Sequence, residues 1–492
     1  MALQTAARSP GRGLAGGLSP ARREWPPRSL VLIVGACVGL AALSAALLPT
    51  VPSYDPWSWI VWGREVFDPH LSFAVSGGPS WKPLPVCFTA VFGLFGGAAP
   101  TLWVITARAG GLLAVVAAYR LGGLLAGRLG THGWAAVVAG VISALGVALT
   151  NQFFYYMFRG TSEPMLVAAS LWAVDRHLAG RRGSTFVLLV AASLIRPEAW
   201  PFLLGYGVWV WRREPALRGL VLVGWLSVPF FWFVPPWVGS GQPFLAASHA
   251  KSYNGHLGSN PFATVMRRGA TLQIVPALIA GLIAVALAWW RGRDRIVLGL
   301  FGAVVGWWVL VVGMTLDGYP GLDRFFLPAA ALTCALAGAG VVALASLAPR
   351  WIAPVVVVAV LGVSAPFAAG RVSTGWKQRG IAAQAVTRLN QLTAAVAAVG
   401  GHRGVFPCSS SFSAVNHGVQ TALAWKLHVT LGRVGTSMRH QGVMFVGPWD
   451  TIDGQPAPIS HRLTQSVLIA RVGAWRVYRV TASGADTRCV GR

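Results

Sequence analysis

The stretch YDPWSWIVWGREVFDPHLSFAVSGGPSWKPLP, residues 54–85, carries charged side chains among tryptophans and prolines, between two apolar segments. The charged residues that matter for the argument are Asp55, Arg64, Glu65 and Lys82. Charged groups close to a lipid bilayer are costly to place, and those that persist usually belong to a substrate or ion site. The stretch therefore predicts a functional site at a membrane boundary, within a chain that is otherwise built to cross the membrane.

The composition is that of a polytopic α-helical membrane protein. Of the 492 residues, 55% are hydrophobic and 11% are charged, whereas a soluble domain carries about 25% charged residues. Several apolar windows of roughly 20 residues are long enough to cross the hydrocarbon core. The net charge of +26 is divided among short basic blocks between these windows. That distribution follows the positive-inside rule and argues against nucleic acid as a partner.

The basic blocks also predict the topology. Residues 1–29 read as a basic, disordered cytoplasmic tail, and residues 30–369 as a membrane domain with about eleven crossings. Its first outer loop is 50–99. Segment 184–211 has arginines at both ends and Arg196-Pro197-Glu198 at its middle. This pattern predicts two half-crossing helices with a polar break that lines a cavity.

Residues 370–492 predict a small extracytoplasmic α/β domain. Cys408 and Cys489 lie in this region and could form a disulfide bond if it faces an oxidising compartment. The sequence has no Cys/His spacing typical of a metal site. The elements expected in this domain are helices at 381–399 and 413–429, strands at 404–408 and 442–446, and a hairpin at 468–480.

Polar side chains expected at the outer membrane level come from separate segments. They include one or two carboxylates among several cations, which suits transfer of a group from a phosphate ester. Cations would hold the phosphate and stabilise it as it leaves, and a carboxylate would take a proton from the attacking hydroxyl. This chemistry requires Asp55, Lys82 and Arg196 to share one hollow at the outer boundary of the bilayer.

Short motifs carry a resemblance to a known family. Asp55-x3-Trp59-x4-Arg64-Glu65, followed by Trp81-Lys82-Pro83-Leu84, is similar to the first outer loop of GT-C membrane glycosyltransferases. The nearest branch contains lipid A aminoarabinose transferases and protein O-mannosyltransferases. The resemblance covers about residues 30–370, and further matches follow in the family's order: Leu194-Ile195-Arg196-Pro197-Glu198 and Asp323-Arg324-Phe325-Phe326-Leu327-Pro328.

The resemblance implies an inverting glycosyltransferase that acts on the outer membrane face. The basic blocks predict a cytoplasmic N-terminus, and the high content of Ala, Gly, Arg and Trp is compatible with a bacterial plasma membrane. The partners of the enzyme would be a polyprenyl-phosphate sugar donor, the surrounding lipids, and a glycan, lipid or protein acceptor in the cell envelope. Asp55 would be the general base, and the donor phosphate would contact Lys82, Arg196 and Arg324. Pro56 stands where the family has a second acid, so no metal ligand is assigned and a divalent cation stays open. Candidate substrate-binding residues are Glu65, Arg159, Glu163 and Glu198.

Structural roles remain open beside these assignments. Glu65 could form a local ion pair with Arg64, Arg159 could pair with Glu163 at i,i+4, and Arg196 could brace the helix break with Glu198. For the whole chain, one alternative is a transporter or flippase of lipid-linked sugars, which broken helices also suit. The other is a non-catalytic scaffold that keeps the GT-C fold.

Overall fold

The computed structural model describes residues 26–75, 78–252, 257–483 and 489–491. Most of the expected N-terminal tail, residues 1–25, lies outside this part of the chain. In the described chain, the regular elements up to residue 398 are helices joined by loops. Its helices are α1 Pro27–Leu47, α2 Tyr54–Phe67, α3 Pro83–Gly93, α4 Ala99–Arg128, α5 Trp134–Ala148, α6 Phe153–Phe158, α7 Glu163–Leu178, α8 Arg182–Ile195, α9 Trp200–Arg213, α10 Arg218–Ser240, α11 Leu245–Ser252, α12 Pro261–Ala270, α13 Val275–Trp290, α14 Arg295–Leu316, α15 Leu327–Ala345 and α16 Ala353–Ala398.

The lengths of these helices suit a membrane domain. Within the described ranges, six helices are long and apolar enough to cross a bilayer, and a seventh span results if α12 and α13, bent by 87°, are taken together. The shorter apolar helices are α3, α5 and α8. The polytopic helical fold is thus present, and the number of about eleven crossings stays a prediction.

Helix α15 forms the centre of the helical domain, because nearly all of its side chains are buried. It packs against α13, α5 and α4. Two glycines make this packing close: a side chain at Gly338 would collide with Ala139 of α5, and one at Gly340 with Ala280 of α13. Small residues at such contacts let helix backbones approach each other, as is common in membrane bundles.

The predicted break in segment 184–211 is present. Helix α8 ends at Ile195, Arg196 adopts an extended conformation, and a short turn at Pro197–Ala199 leads into α9. Pro197 lacks a backbone N–H and disfavours a helical conformation in Arg196, which accounts for the interruption. The break brings Arg196 and Glu198 into the interior, where both are buried.

Helix α16 is the longest element, with 46 residues, and it continues from an apolar N-terminal half into the C-terminal domain. The sequence predicts a separate helix that begins at residue 381, whereas the domain boundary expected at residue 370 lies inside the continuous helix α16. No proline interrupts α16 after Pro366. Arg371 holds it against the bend between α12 and α13 by donating to the carbonyl oxygen of Thr271 at 2.6 Å.

The C-terminal domain contains a five-stranded sheet whose strand order is β2-β1-β3-β5-β4. β1 pairs in parallel with β2 and β3, whereas β5 pairs antiparallel with β3 and β4. The small α/β domain is therefore as expected. Its elements are α17 Gly401–Val405, β1 Phe412–Val415, α18 Gln420–Lys426, β2 Val434–Gly435, β3 Gly442–Val446, β4 Gln465–Val472 and β5 Trp475–Thr481.

Two expected elements of this domain are wrong in detail. The strand predicted at 404–408 is absent: the chain forms α17 directly after Gly400, whose φ is +81°, so residues 404–405 end this helix and residues 406–408 form no regular element. The helix predicted at 413–429 begins later, since residues 412–415 form strand β1. The strand at 442–446 and the hairpin with its turn at Gly473 are present as predicted.

The C-terminal domain is closed by a disulfide bond between Cys408 and Cys489. We expect Cys408→Ser to lower the free energy of unfolding of this domain by about 2–5 kcal/mol, because the bond restricts a long loop in the unfolded chain. Limited proteolysis of the full-length protein in native membranes measures this loss. Cys87→Ser, at an exposed free cysteine, is the control. Equal protease sensitivity in both variants would contradict the prediction.

Candidate active site

Helix α2 carries Asp55 in its first turn, and contacts with the C-terminal domain hold this helix in place. Tyr54 donates its hydroxyl to Gln420 Oε1 at 2.8 Å, and Thr421 Oγ1 donates to the carbonyl oxygen of Tyr54 at 3.0 Å. At the other end of α2, Arg64 donates to the carbonyl oxygens of Trp425 and Val429 at 3.1 and 2.8 Å. Helix α18 therefore positions the segment that carries Asp55.

Asp55 forms an ion pair with Arg324, whose Nη1 lies 3.1 Å from Asp55 Oδ2. Arg324 belongs to a short turn, Asp323–Phe326, that leads into the central helix α15. The neighbouring carboxylate of Asp323 is held by Gln152 Nε2 at 3.1 Å and by the Tyr156 hydroxyl at 3.3 Å. The turn is thus fixed, and it directs the guanidinium of Arg324 toward Asp55.

Lys82 immediately precedes α3, and its ammonium group is buried. Nζ donates to Ser162 Oγ at 2.8 Å, lies 3.4 Å from Glu163 Oε1, and is 5.0 Å from the centre of the Trp59 ring. Burial lowers the pKa of Lys82 to about 8, although the charge of Glu163 opposes this shift. A lysine in this state binds an anion strongly while it remains charged.

Arg196, at the break between α8 and α9, contacts two carboxylates. Nη2 donates to Glu163 Oε1 at 2.9 Å and Nη1 donates to Glu198 Oε1 at 3.0 Å. Its guanidinium also lies 4.0 Å from the centre of the Phe325 ring. The expected pairing of Arg196 with Glu198 is thus present, and it involves only one side of the guanidinium.

Glu163 connects the three cations Lys82, Arg196 and Arg324, which we call the cation cluster. The carboxylate is fully buried, and Oε1 lies 3.4, 2.9 and 3.8 Å from the nitrogens of these side chains. Glu163 begins α7, and burial of a carboxylate is tolerated when cations surround it. One carboxylate therefore gathers cations from three segments that are remote in sequence.

The cation cluster and Asp55 line one cavity of about 750 Å³. The three residues expected to share a hollow, Asp55, Lys82 and Arg196, all do so. A large part of the remaining wall is aromatic. A cavity with cations at one side and large apolar rings at another suits an amphiphilic ligand that carries an anionic group. The aromatic residues of the wall are Tyr54, Trp81, Trp200, Trp232, Phe233, Phe244, Tyr319 and Phe325.

Three of the candidate substrate-binding residues lie outside the described cavity wall. Glu65 is buried on α2, and Oε2 accepts a hydrogen bond from the backbone N–H of Ala74 at 3.0 Å. Arg159 follows the end of α6, so the i,i+4 pairing with Glu163 on one helix is wrong. Glu163 lies behind the cations. Glu198, by contrast, lines the cavity.

The structure adds residues that the sequence patterns did not indicate. Ser162 accepts the hydrogen bond from Lys82, and His249 and His417 line the cavity. His417 comes from the C-terminal domain, and no local motif marks a lone histidine as part of a distant site. Among the described residues, no cluster of three or more His, Cys, Asp or Glu side chains has an arrangement suited to a metal ion.

Comparison with known proteins gives a structural likeness only. No family model and no curated protein sequence matches the chain significantly. ArnT from Cupriavidus metallidurans bound to undecaprenyl phosphate has a similar structure, with a TM-score of 0.55 and 13% sequence identity over 93% of this chain and 99% of that chain. ArnT from the same organism in the apo state matches with a TM-score of 0.54 and 14% identity, over 92% and 98% of the two chains.

The likeness extends over nearly the full length of both chains, so it includes the helical domain and the C-terminal domain together. ArnT is an aminoarabinose transferase with a GT-C fold. The resemblance that the motifs of the first loop predicted is therefore confirmed for the fold: this chain has the GT-C architecture of ArnT.

Proposed function

We propose that this protein is an integral membrane glycosyltransferase. It would move a sugar from a polyprenyl-phosphate donor to a hydroxyl group of a cell-envelope acceptor on the outer face of a bacterial plasma membrane. The observation that carries the proposal is the arrangement of Asp55 beside the cation cluster in one partly aromatic cavity. The N-terminus would be cytoplasmic and the C-terminal domain outside, where its disulfide bond would persist.

The donor phosphate would bind at the cation cluster. Lys82 would supply a compact positive charge, and the two arginines would supply donors arranged in a planar fork. The aromatic wall would contact the first isoprene units, because large apolar rings offer the area that an alkenyl chain needs. Undecaprenyl phosphate is bound in the structure of ArnT from Cupriavidus metallidurans, which supports this class of ligand.

Asp55 would accept the proton of the attacking hydroxyl. The acceptor oxygen would form a bond to the anomeric carbon as the bond between that carbon and the phosphate oxygen breaks, with inversion. The electron pair would leave on the polyprenyl phosphate, whose negative charge the cation cluster would stabilise. Arg324 forms an ion pair with Asp55. A bound phosphate would compete for this guanidinium and leave the carboxylate free to act as a base.

The test uses a deletion strain, whose membranes should accumulate polyprenyl-phosphate-linked sugar together with unmodified acceptor. Purified full-length protein added to these membranes should consume the lipid-linked sugar and release polyprenyl phosphate, both measured by mass spectrometry of the lipid extract. Transport alone would leave the amount of lipid-linked sugar unchanged and alter only its distribution between the leaflets. A scaffold would change neither quantity. Either of these two results would contradict the proposal.

The affinity for undecaprenyl phosphate should decrease as the pH rises through about 8. The pKa of Lys82 is about 8, so its charge is present below this pH and is lost above it. The phosphate monoester has its second pKa near 6, so its own charge no longer changes in this range. Losing one charge-assisted hydrogen bond should weaken binding by about tenfold or more.

The measurement is a titration of the full-length protein with undecaprenyl phosphate between pH 7 and pH 10. Lys82→Arg is the matched variant, because a guanidinium keeps its charge over this whole range. The variant should lose the decrease near pH 8. An identical pH profile in the two proteins would show that Lys82 does not contact the phosphate.

A further inference from the structure

Within its described residues, the C-terminal domain contributes one side chain, His417, to the cavity that contains Asp55. His417 lies in the turn that precedes α18. Its ring stacks on the ring of Tyr54, with the centres 4.8 Å apart and the planes inclined by 28°. Tyr54 directly precedes Asp55, so the stack places the imidazole beside the candidate base.

The backbone around His417 is firmly held. The N–H of His417 donates to the carbonyl oxygen of Gln455 at 3.1 Å, and the N–H of Gly418 donates to that of Asp453 at 2.9 Å. The preceding residue, Asn416, is buried and exchanges hydrogen bonds with Gly447. These hydrogen bonds fix the geometry of the turn, as is typical of a preorganised binding element.

The position of His417 differs from that of the cation cluster. The cations come from segments that adjoin helices α3, α9 and α15 of the helical domain. Asp55 and His417 come from α2 and from the C-terminal domain. The cavity is thus lined both by segments of the helical domain and by the C-terminal domain.

We propose that His417 binds the acceptor, and that this acceptor is a carbohydrate or another polyhydroxylated molecule. Its imidazole holds one hydroxyl group of the acceptor so that a second hydroxyl lies against Asp55. A neutral imidazole offers one donor and one acceptor nitrogen, which matches the hydroxyl groups of a sugar. Burial lowers the pKa of His417, with Asp55 opposing the shift, which favours this neutral form. The inference rests on the proposed glycosyltransferase function.

Two measurements on full-length variants test the role of His417. The first is consumption of lipid-linked sugar by the purified protein in membranes of the deletion strain. The second is the Kd for undecaprenyl phosphate, which reports only the donor side. In His417→Ala, transfer should fall about three- to tenfold, as expected for the loss of one ordinary hydrogen bond. The Kd should stay within about twofold of the wild-type value, because the phosphate contacts are untouched.

A conservative variant and a matched control separate binding from folding. His417→Asn keeps a donor and an acceptor, so it should recover part of the transfer rate. His461→Ala removes an exposed histidine from the same domain and should behave as wild type. Unchanged transfer in His417→Ala would overturn the inference. So would parallel losses of transfer, donor binding and thermal stability in both His417 variants, because these would assign a structural role.

The experiments distinguish an error in the role of His417 from an error in the proposed function. If wild-type protein consumes no lipid-linked sugar, or if Asp55→Asn consumes it at the wild-type rate, the proposed function is wrong. If Asp55→Asn is inactive while His417→Ala is fully active, only the acceptor role of His417 is wrong.

Discussion

Asp55→Asn is expected to lower the rate of sugar transfer by about a hundred- to ten-thousandfold, the usual contribution of a positioned general base. Asparagine has nearly the same size and keeps an oxygen near Arg324, but its amide cannot take the proton of the attacking hydroxyl. The affinity for undecaprenyl phosphate should not weaken, because Arg324 loses its charged partner and becomes more available to the phosphate. The two measurements are the transfer rate and the Kd for undecaprenyl phosphate.

The matched control is Glu65→Gln, because Glu65 lies in the same helix α2, ten residues after Asp55. Its carboxylate is buried and accepts a hydrogen bond from Ala74, outside the described cavity wall. This variant should keep the phosphate affinity and most of the transfer rate. If Asp55→Asn transferred sugar at a rate within threefold of wild type, the activation free energy would have changed by about a kcal/mol or less. That result would exclude general base catalysis by Asp55.

Glu163→Gln is expected to have the second large effect, this time on stability. One buried oxygen of Glu163 lies near three cations, and removing its charge leaves them without this shared counterion. Removing one partner of a buried ion pair costs about 3–5 kcal/mol. Thermal unfolding of the purified protein should therefore occur at a clearly lower temperature than in the wild type.

Glu198→Gln provides the control, because Glu198 contacts only Arg196 among the three cations, at 3.0 Å. Its effect on unfolding should be smaller. Added undecaprenyl phosphate should stabilise Glu163→Gln more than wild type, because the phosphate supplies the missing negative charge and a ligand stabilises the state that binds it. Equal destabilisation by the two substitutions, with no difference in the effect of the phosphate, would contradict the central role of Glu163.

The general architecture could be predicted because its causes are local. Apolar segments bounded by arginines indicate membrane helices, and Arg196-Pro197-Glu198 in an apolar segment indicates a break, since proline interrupts the backbone pattern. The site could be predicted in part for a related reason. Charged residues are rare at membrane depth, so Asp55, Lys82, Arg196 and Arg324 were conspicuous in the sequence.

Other features depend on contacts that no sequence pattern records. The charge of Glu163 was apparent, but its position behind three cations follows from how α7 packs against α8 and α4. His417 lies in a polar domain where histidine is unremarkable, and only the packing of α18 on α2 brings it to Asp55. The continuity of α16 could not be predicted, because polar residues follow Gly370 and resemble a linker, although no proline follows Pro366 within the helix.

Because α16 is continuous, insertions and deletions within it should be poorly tolerated. Because the helix advances about 1.5 Å and turns about 100° per residue, inserting one residue after Arg371 would rotate and lift everything beyond it. His417 would then leave the neighbourhood of Tyr54, even though both domains kept their own folds. An insertion of whole turns would restore the rotation but would still move the C-terminal domain away from α2. The number of residues in α16 between the bilayer and the C-terminal domain is therefore constrained.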